Sequence, residues 1–183
     1  MSKALTILGS TGTIGDSTLK VLSLHPDKFS LFALTAYSNC EKMFQQCVDW
    51  EPEYAVMVEE KAADALERKV KKAGLKVQVI WGLAGLEYVA SHPSTDYVMA
   101  GIVGAAGLLP NLAAAQAGKR VMLANKESLV MSGQLFMNAV EENGAQLLPI
   151  DSEHNAIFQC LPSVEKKGEG SSTKGVKKII LTA

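Results

Sequence analysis

Near the end of the chain, the run LLPIDSEHNAIFQ (Leu147 to Gln159) sets Asp151 and Glu153 two residues apart, directly after an apolar stretch of strand length. Two carboxylates at that spacing can turn toward one hard cation such as Mg²⁺ or Mn²⁺ where the backbone bends, and His154 beside them could serve as a base or a ligand. The same residues also spell an Asp N-cap followed by a box-like helix start. The pattern leaves both readings standing. A pair of carboxylates does not complete a metal site, so at least one further ligand is expected from outside this chain.

A second polar cluster, Asn125-Lys126-Glu127-Ser128 in VMLANKESLV, also follows an apolar run of strand length. In a doubly wound sheet, the carboxyl ends of the strands are where ligands sit. Lys126 there is either a point charge for a phosphate or enediolate oxygen, or an ordinary solvated lysine.

The third chemical signal is at the other end of the chain, in ILGSTGTIGDSTLKVL (Ile7 to Leu22). Its glycines Gly9, Gly12 and Gly15 stand three apart, after the strand-like run ALTIL. Ile14, Thr18, Val21 and Leu22 then follow a helical period. Strand, glycine turn and helix is the arrangement that binds a dinucleotide. Gly9 would end the strand, Gly12 would let the backbone approach a pyrophosphate, and Gly15 would let the helix pack closely on the strand. The helix N-terminus would offer free N–H groups to the phosphates, with Ser10, Thr11 and Thr13 adding hydroxyls. The spacing is GxxGxxG rather than GxGxxG, and a ligand-free glycine turn is the alternative; a Walker-type loop is excluded because no GK[ST] ending is present.

About 20 residues on, where a carboxylate would hold the ribose 2′-hydroxyl of NAD, the run is Thr35-Ala36-Tyr37-Ser38-Asn39. Its hydroxyl and amide groups can donate to a 2′-phosphate that a carboxylate would repel, which favours NADP. Ser38 and Asn39 are also good N-cap residues for the helix that follows.

The elements that must position these groups alternate along the chain. ALTIL, FSLFALT, YAVMV, KVQVI, DYVMAGIV, RVMLA and AQLLPI are runs of strand length, separated by segments of helical period. Near-continuous Val, Ile, Leu and Ala strands are buried on both faces. The expected fold is therefore α/β: a Rossmann-like, doubly wound, mostly parallel sheet with helices on each side. His25-Pro26, Gly74, Pro93, Gly118 and Gly144 mark expected helix ends. His25 and His92 read as capping or solvated residues, and the methionines, Trp50 and Trp81 as core filler. Strand order is not legible.

The 183 residues are 48% hydrophobic and 20% charged, with a formal net charge of −1. That is a globular profile, and with no basic run it gives no electrostatic case for nucleic acid. No apolar run approaches the ~20 residues of a transmembrane helix. No signal-type segment follows Met1, so a cytoplasmic protein is expected. Cys40, Cys47 and Cys160 lack CxxC spacing and read as reduced thiols. Residues 1–150 are expected to form the cofactor domain and 151–183 to begin a second, catalytic one. The Gly-, Ser- and Lys-rich stretch at about 163–175 reads as a mobile loop, and VKKIILTA after it as the start of another strand.

Four stretches together, LTILGSTGTIG, GIVGAAGLLPNLAAAQAGK, LANKESLV and LLPIDSEHNAIFQCLP, resemble the 1-deoxy-D-xylulose 5-phosphate reductoisomerase family, and the likeness runs through nearly the whole chain. The resemblance implies an NADPH-dependent enzyme that rearranges 1-deoxy-D-xylulose 5-phosphate and reduces the product to 2-C-methyl-D-erythritol 4-phosphate, in the non-mevalonate route to isoprenoids. It also implies a divalent cation (Mg²⁺, Mn²⁺ or Co²⁺) and a homodimer. Carried onto matching positions, it assigns Thr11, Gly12, Thr13 and Ile14 to the pyrophosphate side of NADPH. Tyr37, Ser38 and Asn39 fall at the adenosine end, and Asn125 and Glu127 also meet the cofactor. Lys126 and Ser152 would contact substrate, while Asp151 and Glu153 would bind metal, with Glu153 touching substrate as well. Lys126 and Glu153 are the expected catalytic residues.

Tyr37-Ser38 stands where many relatives carry Gly-Lys or Gly-Arg. The family continues beyond these motifs into a Gly-rich phosphate-binding segment, another acidic ligand, a lid and a helical region. The polypeptide is therefore expected to be the N-terminal part of the enzyme and inactive alone. Two alternatives remain: another GxxGxxG dehydrogenase, which would explain the glycines but not Asp151-Ser152-Glu153-His154, and a non-catalytic NADP(H)-sensing module.

Overall fold

The computed structural model describes residues 2–162 and 175–180. Strands and helices alternate as β1 (Lys3–Leu8), α1 (Thr13–Leu24), β2 (Phe29–Ala36), α2 (Cys40–Trp50), β3 (Tyr54–Met57), α3 (Glu60–Lys72), β4 (Gln78–Trp81) and α4 (Gly82–Ser91). They continue as β5 (Tyr97–Ala100), a 3₁₀ turn (Ala105–Gly107), α5 (Leu108–Gln116), β6 (Arg120–Leu123), α6 (Lys126–Glu142), β7 (Gln146–Pro149) and α7 (Ser152–Cys160).

The seven strands form one sheet in the order β4-β3-β2-β1-β5-β6-β7. All six neighbouring pairs are parallel. The α/β, doubly wound expectation therefore holds, and the structure supplies the order. The chain begins mid-sheet, walks out to β4, returns through α4 to lay β5 beside β1, and then walks the other way. That reversal opens a crevice at the carboxyl ends of β1 and β5.

Each sheet face buries its own core. Leu19 and Leu22 of α1, Met43 and Cys47 of α2, and Leu66 and Val70 of α3 pack on Leu5, Ile7, Leu34 and Met57. On the other face, Ala114 and Ala115 of α5 and Phe136, Ala139 and Val140 of α6 pack on Val98, Ala100, Val121 and Leu123. The small alanines of α5 let it lie close to the strands. Asp96, just before β5, accepts hydrogen bonds from Lys3 Nζ and Ala4 N, both at 2.9 Å, and so ties the start of β1 to β5. Burial pushes the Cys47 thiol up to about 12, so it stays protonated and unreactive at neutral pH. Cys40, Cys47 and Cys160 are free.

Several expectations need correction. The inward face of α1 is Gly15, Thr18, Leu19 and Leu22, while Val21 is 51% exposed; the stripe starts one residue later than the sequence reading placed it. Trp81 is 55% exposed rather than core, because β4 is an edge strand. Met131 and Met137 are exposed on α6. His92 stands at the C-cap of α4, as the capping reading has it, but it is half-buried rather than solvated: it stacks on Phe32 at 4.6 Å between ring centroids, with Tyr88 edge-on at 5.2 Å. It belongs to an aromatic cluster that a local reading cannot see.

The helix expected near Gly133 begins at Lys126 and bends at Ser132, whose φ of −147° interrupts it next to Gly133. Val176–Ile180 is irregular rather than a strand, since no neighbour pairs with it among the described residues. The expected loop at 163–174 lies outside the described residues. No helix among those described is long and apolar enough to cross a membrane.

Two substitutions test this framework. A Cβ at Gly15 would lie 2.2 Å from the backbone oxygen of Ser10. Gly15→Ala is therefore expected to cost about 2–4 kcal/mol in urea unfolding. The Lys3 ammonium, then the Ala4 N–H, holds the Asp96 carboxyl below its ordinary range. Its contribution is thus present above the unfolded-state pKa of about 4 and is lost as pH falls through the lower folded value. Asp96→Asn should cost roughly 0.5–1 kcal/mol at pH 7, and the gap to the parent should close in melts run progressively below pH 4.

Candidate active site

β1 ends on a turn that only glycine fits. Gly9 has φ +82°, and a Cβ there would meet Gly101 O at 3.1 Å. Gly9 N donates to Thr35 Oγ1 at 2.9 Å, and Gly12 N donates back to Gly9 O at 3.1 Å. Gly15 is crowded by the Ser10 backbone, so its close packing is against the turn rather than the strand. Gly12 differs from both. Its backbone is ordinary, and a Cβ there would find only Gly9 O, at 3.5 Å. Folding therefore does not require glycine at position 12; close approach by something outside the chain would. Gly12 is the N-cap of α1 and brings no side-chain cap, so the first N–H groups of the helix are left without one. This donor set fits a pyrophosphate.

Of the turn's hydroxyls, Ser10 drops out. It is fully buried and donates to Gln46 Oε1 at 2.7 Å, while Gln46 Nε2 returns a bond to Ser10 O at 2.9 Å. Thr11 is half-buried, Thr13 is exposed, and Ile14 is half-buried beside Gly101. Beyond β2, Tyr37, Ser38 and Asn39 are exposed. The capping role belongs to Asn39, which accepts from Lys42 N at 3.1 Å. Lys42 in turn reaches back across the glycine turn, donating to Thr11 O at 2.9 Å and pairing with Asp16 at 2.6 Å.

The two polar clusters of the second half meet because β6 and β7 are parallel neighbours in register, Leu123 opposite Pro149. Ile150 N donates to Leu123 O at 2.9 Å, which carries that alignment past the strand ends. Asn125 and Asp151 cap the next helices: Ser128 N donates to Asn125 Oδ1 at 2.9 Å and His154 N to Asp151 Oδ1 at 3.4 Å. Lys126 and Glu153 are consequently first-turn residues. Lys126 Nζ lies 3.8 Å from Asp151 Oδ2, and Ser152 Oγ donates to Glu153 Oε2 at 3.0 Å. Partial burial pushes the Asp151 carboxyl up, but hydrogen bonding with Glu153 and the His154 N–H, and the charge of Lys126, outweigh it and leave the group below its ordinary range. An ionised Asp151 beside an exposed Glu153 is a donor set that suits a hard cation. Among the described residues, no group of three or more His, Cys, Asp or Glu side chains stands together.

Asn125 is almost wholly buried and its amide is spent inside the fold, with Nδ2 donating to Ile102 O at 2.7 Å and Gly104 O at 2.9 Å. Ser128 Oγ also bonds to its Oδ1. Glu127 is half-buried on the same turn. The segment that Asn125 holds enters the sequence analysis only as one of the stretches of the family resemblance, with no role for its glycines, although Gly101, Gly104 and Gly107 repeat the spacing of Gly9, Gly12 and Gly15. Gly101 abuts Gly9, and a Cβ at Gly107 would come within 2.9 Å of Ile102 O. Two glycine turns thus face each other across the crevice. Gln46 and Lys42, which brace the first turn, carried no local signal, and Thr35, read with its neighbours as a donor to a 2′-phosphate, is instead fully buried beneath the turn.

The sequence matches two family models, 1-deoxy-D-xylulose 5-phosphate reductoisomerase over residues 5–133 and the C-terminal domain of the same enzyme over residues 147–183. The chain is 55% identical, over its whole length, to the 1-deoxy-D-xylulose 5-phosphate reductoisomerase of Paraburkholderia phytofirmans, and covers 44% of that relative. It is similar in structure to a DOX-P reductoisomerase crystallised with magnesium, at 47% identity and a TM-score of 0.87, covering 89% of this chain and 40% of the other. The Zymomonas mobilis enzyme in complex with NADPH aligns at 42% identity and a TM-score of 0.83, covering 88% and 42% of the two chains. The chain spans a little under half the length of the curated relatives it matches. With both family models matched and the glycine turn, the Lys126 cluster and the Asp151–Glu153 pair brought to one edge of the sheet, this chain belongs to the 1-deoxy-D-xylulose 5-phosphate reductoisomerase family.

Proposed function

We propose that this chain forms the NADPH-binding part and one side of the metal and substrate site of a 1-deoxy-D-xylulose 5-phosphate reductoisomerase. In that role the complete protein carries out the rearrangement and reduction to 2-C-methyl-D-erythritol 4-phosphate. The observation that carries the reading is the meeting of Lys126 with Asp151 at the carboxyl edge of β6 and β7, on the sheet that also presents the glycine turn. Residues 1–150 act as the cofactor domain and 151–183 open the catalytic one; the family-model matches, over residues 5–133 and 147–183, support a division close to that point.

The free N–H groups at the start of α1, with Thr11, Gly12, Thr13 and Ile14, receive the pyrophosphate. Tyr37, Ser38 and Asn39 lie at the adenosine end. Asn125 serves the cofactor by holding the second glycine turn, and Glu127 borders it. Asp151 and Glu153 hold a divalent cation, which when bound supplies Lewis acidity and a template for the ketone and neighbouring hydroxyl oxygens. Lys126, tethered by its charge to Asp151 and otherwise solvent-facing, steadies negative charge developing on those oxygens. Ser152 orients Glu153 through its hydroxyl and contacts substrate. The chain's task is placement, since NADPH provides the hydride. Homodimerisation, which the resemblance implies, and a cytoplasmic setting are part of the same proposal.

Titration of the chain with NADPH and with NADH, following energy transfer from Trp50 and Trp81 to the reduced nicotinamide, is expected to show saturable binding that favours NADPH. Binding of neither would overturn the cofactor assignment. In the protein extended to the full length of its relatives, Asp151→Ala and Glu153→Ala should each weaken Mn²⁺ binding, read by electron paramagnetic resonance, by at least about tenfold. An NADP(H) sensor with no need of metal would bind Mn²⁺ equally with or without them.

A further inference from the structure

The glycine turn and the end of β2 leave a charge problem. Binding of a 2′-phosphorylated dinucleotide brings close to two negative charges to the rim of β2, yet the run Thr35 to Asn39 holds no cation. Several of its polar atoms are already spent: Thr35 Oγ1 accepts from Gly9 N, Thr35 O accepts from Ser10 N, and Asn39 Oδ1 caps α2. What remains there is neutral. A phosphate dianion held only by neutral donors is held about half as strongly per bond as by charged ones.

We propose that Lys42, on the first turn of α2, is the residue that recognises the 2′-phosphate and so decides NADPH over NADH; this rests on the dinucleotide reading above. Its ammonium stands between the two elements that would flank the adenosine ribose, bonded to Thr11 O of the glycine turn and to Asp16 of α1. An ammonium has three N–H donors, and these two bonds leave the third for a phosphate oxygen. The side chain is 35% exposed, so a ligand reaches it, yet it is pinned at both partners and loses little freedom on binding.

Lys69, another cation near this helix, is turned away: it pairs with Glu41 at 2.8 Å and lies over the Phe44 ring. Asp16 is the counterweight. A carboxylate on the first turn of α1 would repel every phosphate of the ligand, and the 2.6 Å pair with Lys42 neutralises it. Incoming phosphate therefore shares, and partly takes over, the ammonium that Asp16 holds.

The test is a fluorescence titration of the 183-residue chain, Lys42→Met and Asp16→Asn with NADPH and with NADH, each variant first checked by circular dichroism. Lys42→Met should weaken NADPH binding by about 10–100-fold more than it weakens NADH binding, as expected for one charged hydrogen bond. Asp16→Asn frees the ammonium and should tighten NADPH several-fold more than NADH, which keeps the test decisive even where Lys42→Met disturbs the turn. An equal fall for both dinucleotides in Lys42→Met, or an unchanged NADPH-to-NADH ratio in both variants, would overturn the proposal and leave Lys42 as a brace of the turn. A folded parent chain that binds neither dinucleotide would overturn the underlying cofactor reading and this proposal with it.

Discussion

At the centre of the sheet, two backbones touch where no side chain could stand between them. Gly9, leaving β1 with positive φ, faces Gly101 O, and Gly101 N donates to Leu8 O at 3.0 Å. This contact sits where the winding of the sheet reverses, so the helices that follow β1 and β5 diverge to opposite faces. The crevice exists because the two strand ends approach closely while their helices part. The functional assignments on both halves of the chain depend on that divergence.

Around this contact, the fold spends buried polar groups on holding loops. Ser10, Thr35 and Gln46 brace the first glycine turn from below, and Asn125 with Ser128 fastens the second to the start of α6. Each of these groups is buried and hydrogen-bonded, the condition under which a polar side chain stabilises a unique arrangement instead of costing free energy. The groups left facing solvent include Thr13, Lys126, Ser152 and Glu153, which the proposed chemistry calls for. The division is physical: donors that shape the site are consumed within it, and donors that serve a ligand are not.

The two readings left open for Asp151 turn out to be compatible. Capping α7 through one carboxylate oxygen uses a single acceptor position and leaves the other oxygen toward Lys126. The cap also fixes where Glu153 must sit, one residue into the first turn. Asn39 shows the same economy at α2, where the cap leaves its amide N–H₂ unspent. A helix N-cap at the carboxyl edge of a parallel sheet therefore has polar atoms to spare for a ligand, which is why a motif read there is ambiguous by itself.

The sequence alone determined what is local and periodic. The alternation of apolar strands with helical stripes specified an α/β sheet, Gly9 and Gly15 specified a turn, and the clusters around Lys126 and Asp151 specified where polar chemistry follows a strand. Each of these depends on neighbours a few residues apart. Only the tertiary structure decided strand order, the 3.8 Å approach of Lys126 to Asp151, the burial of Ser10 and Asn125, the stacking of His92 on Phe32, and the reach of Lys42 to Thr11 across 31 residues of chain. Those facts depend on which strands become neighbours. In a parallel sheet, each neighbour is chosen by packing over a whole crossover, a choice that no short window of residues records.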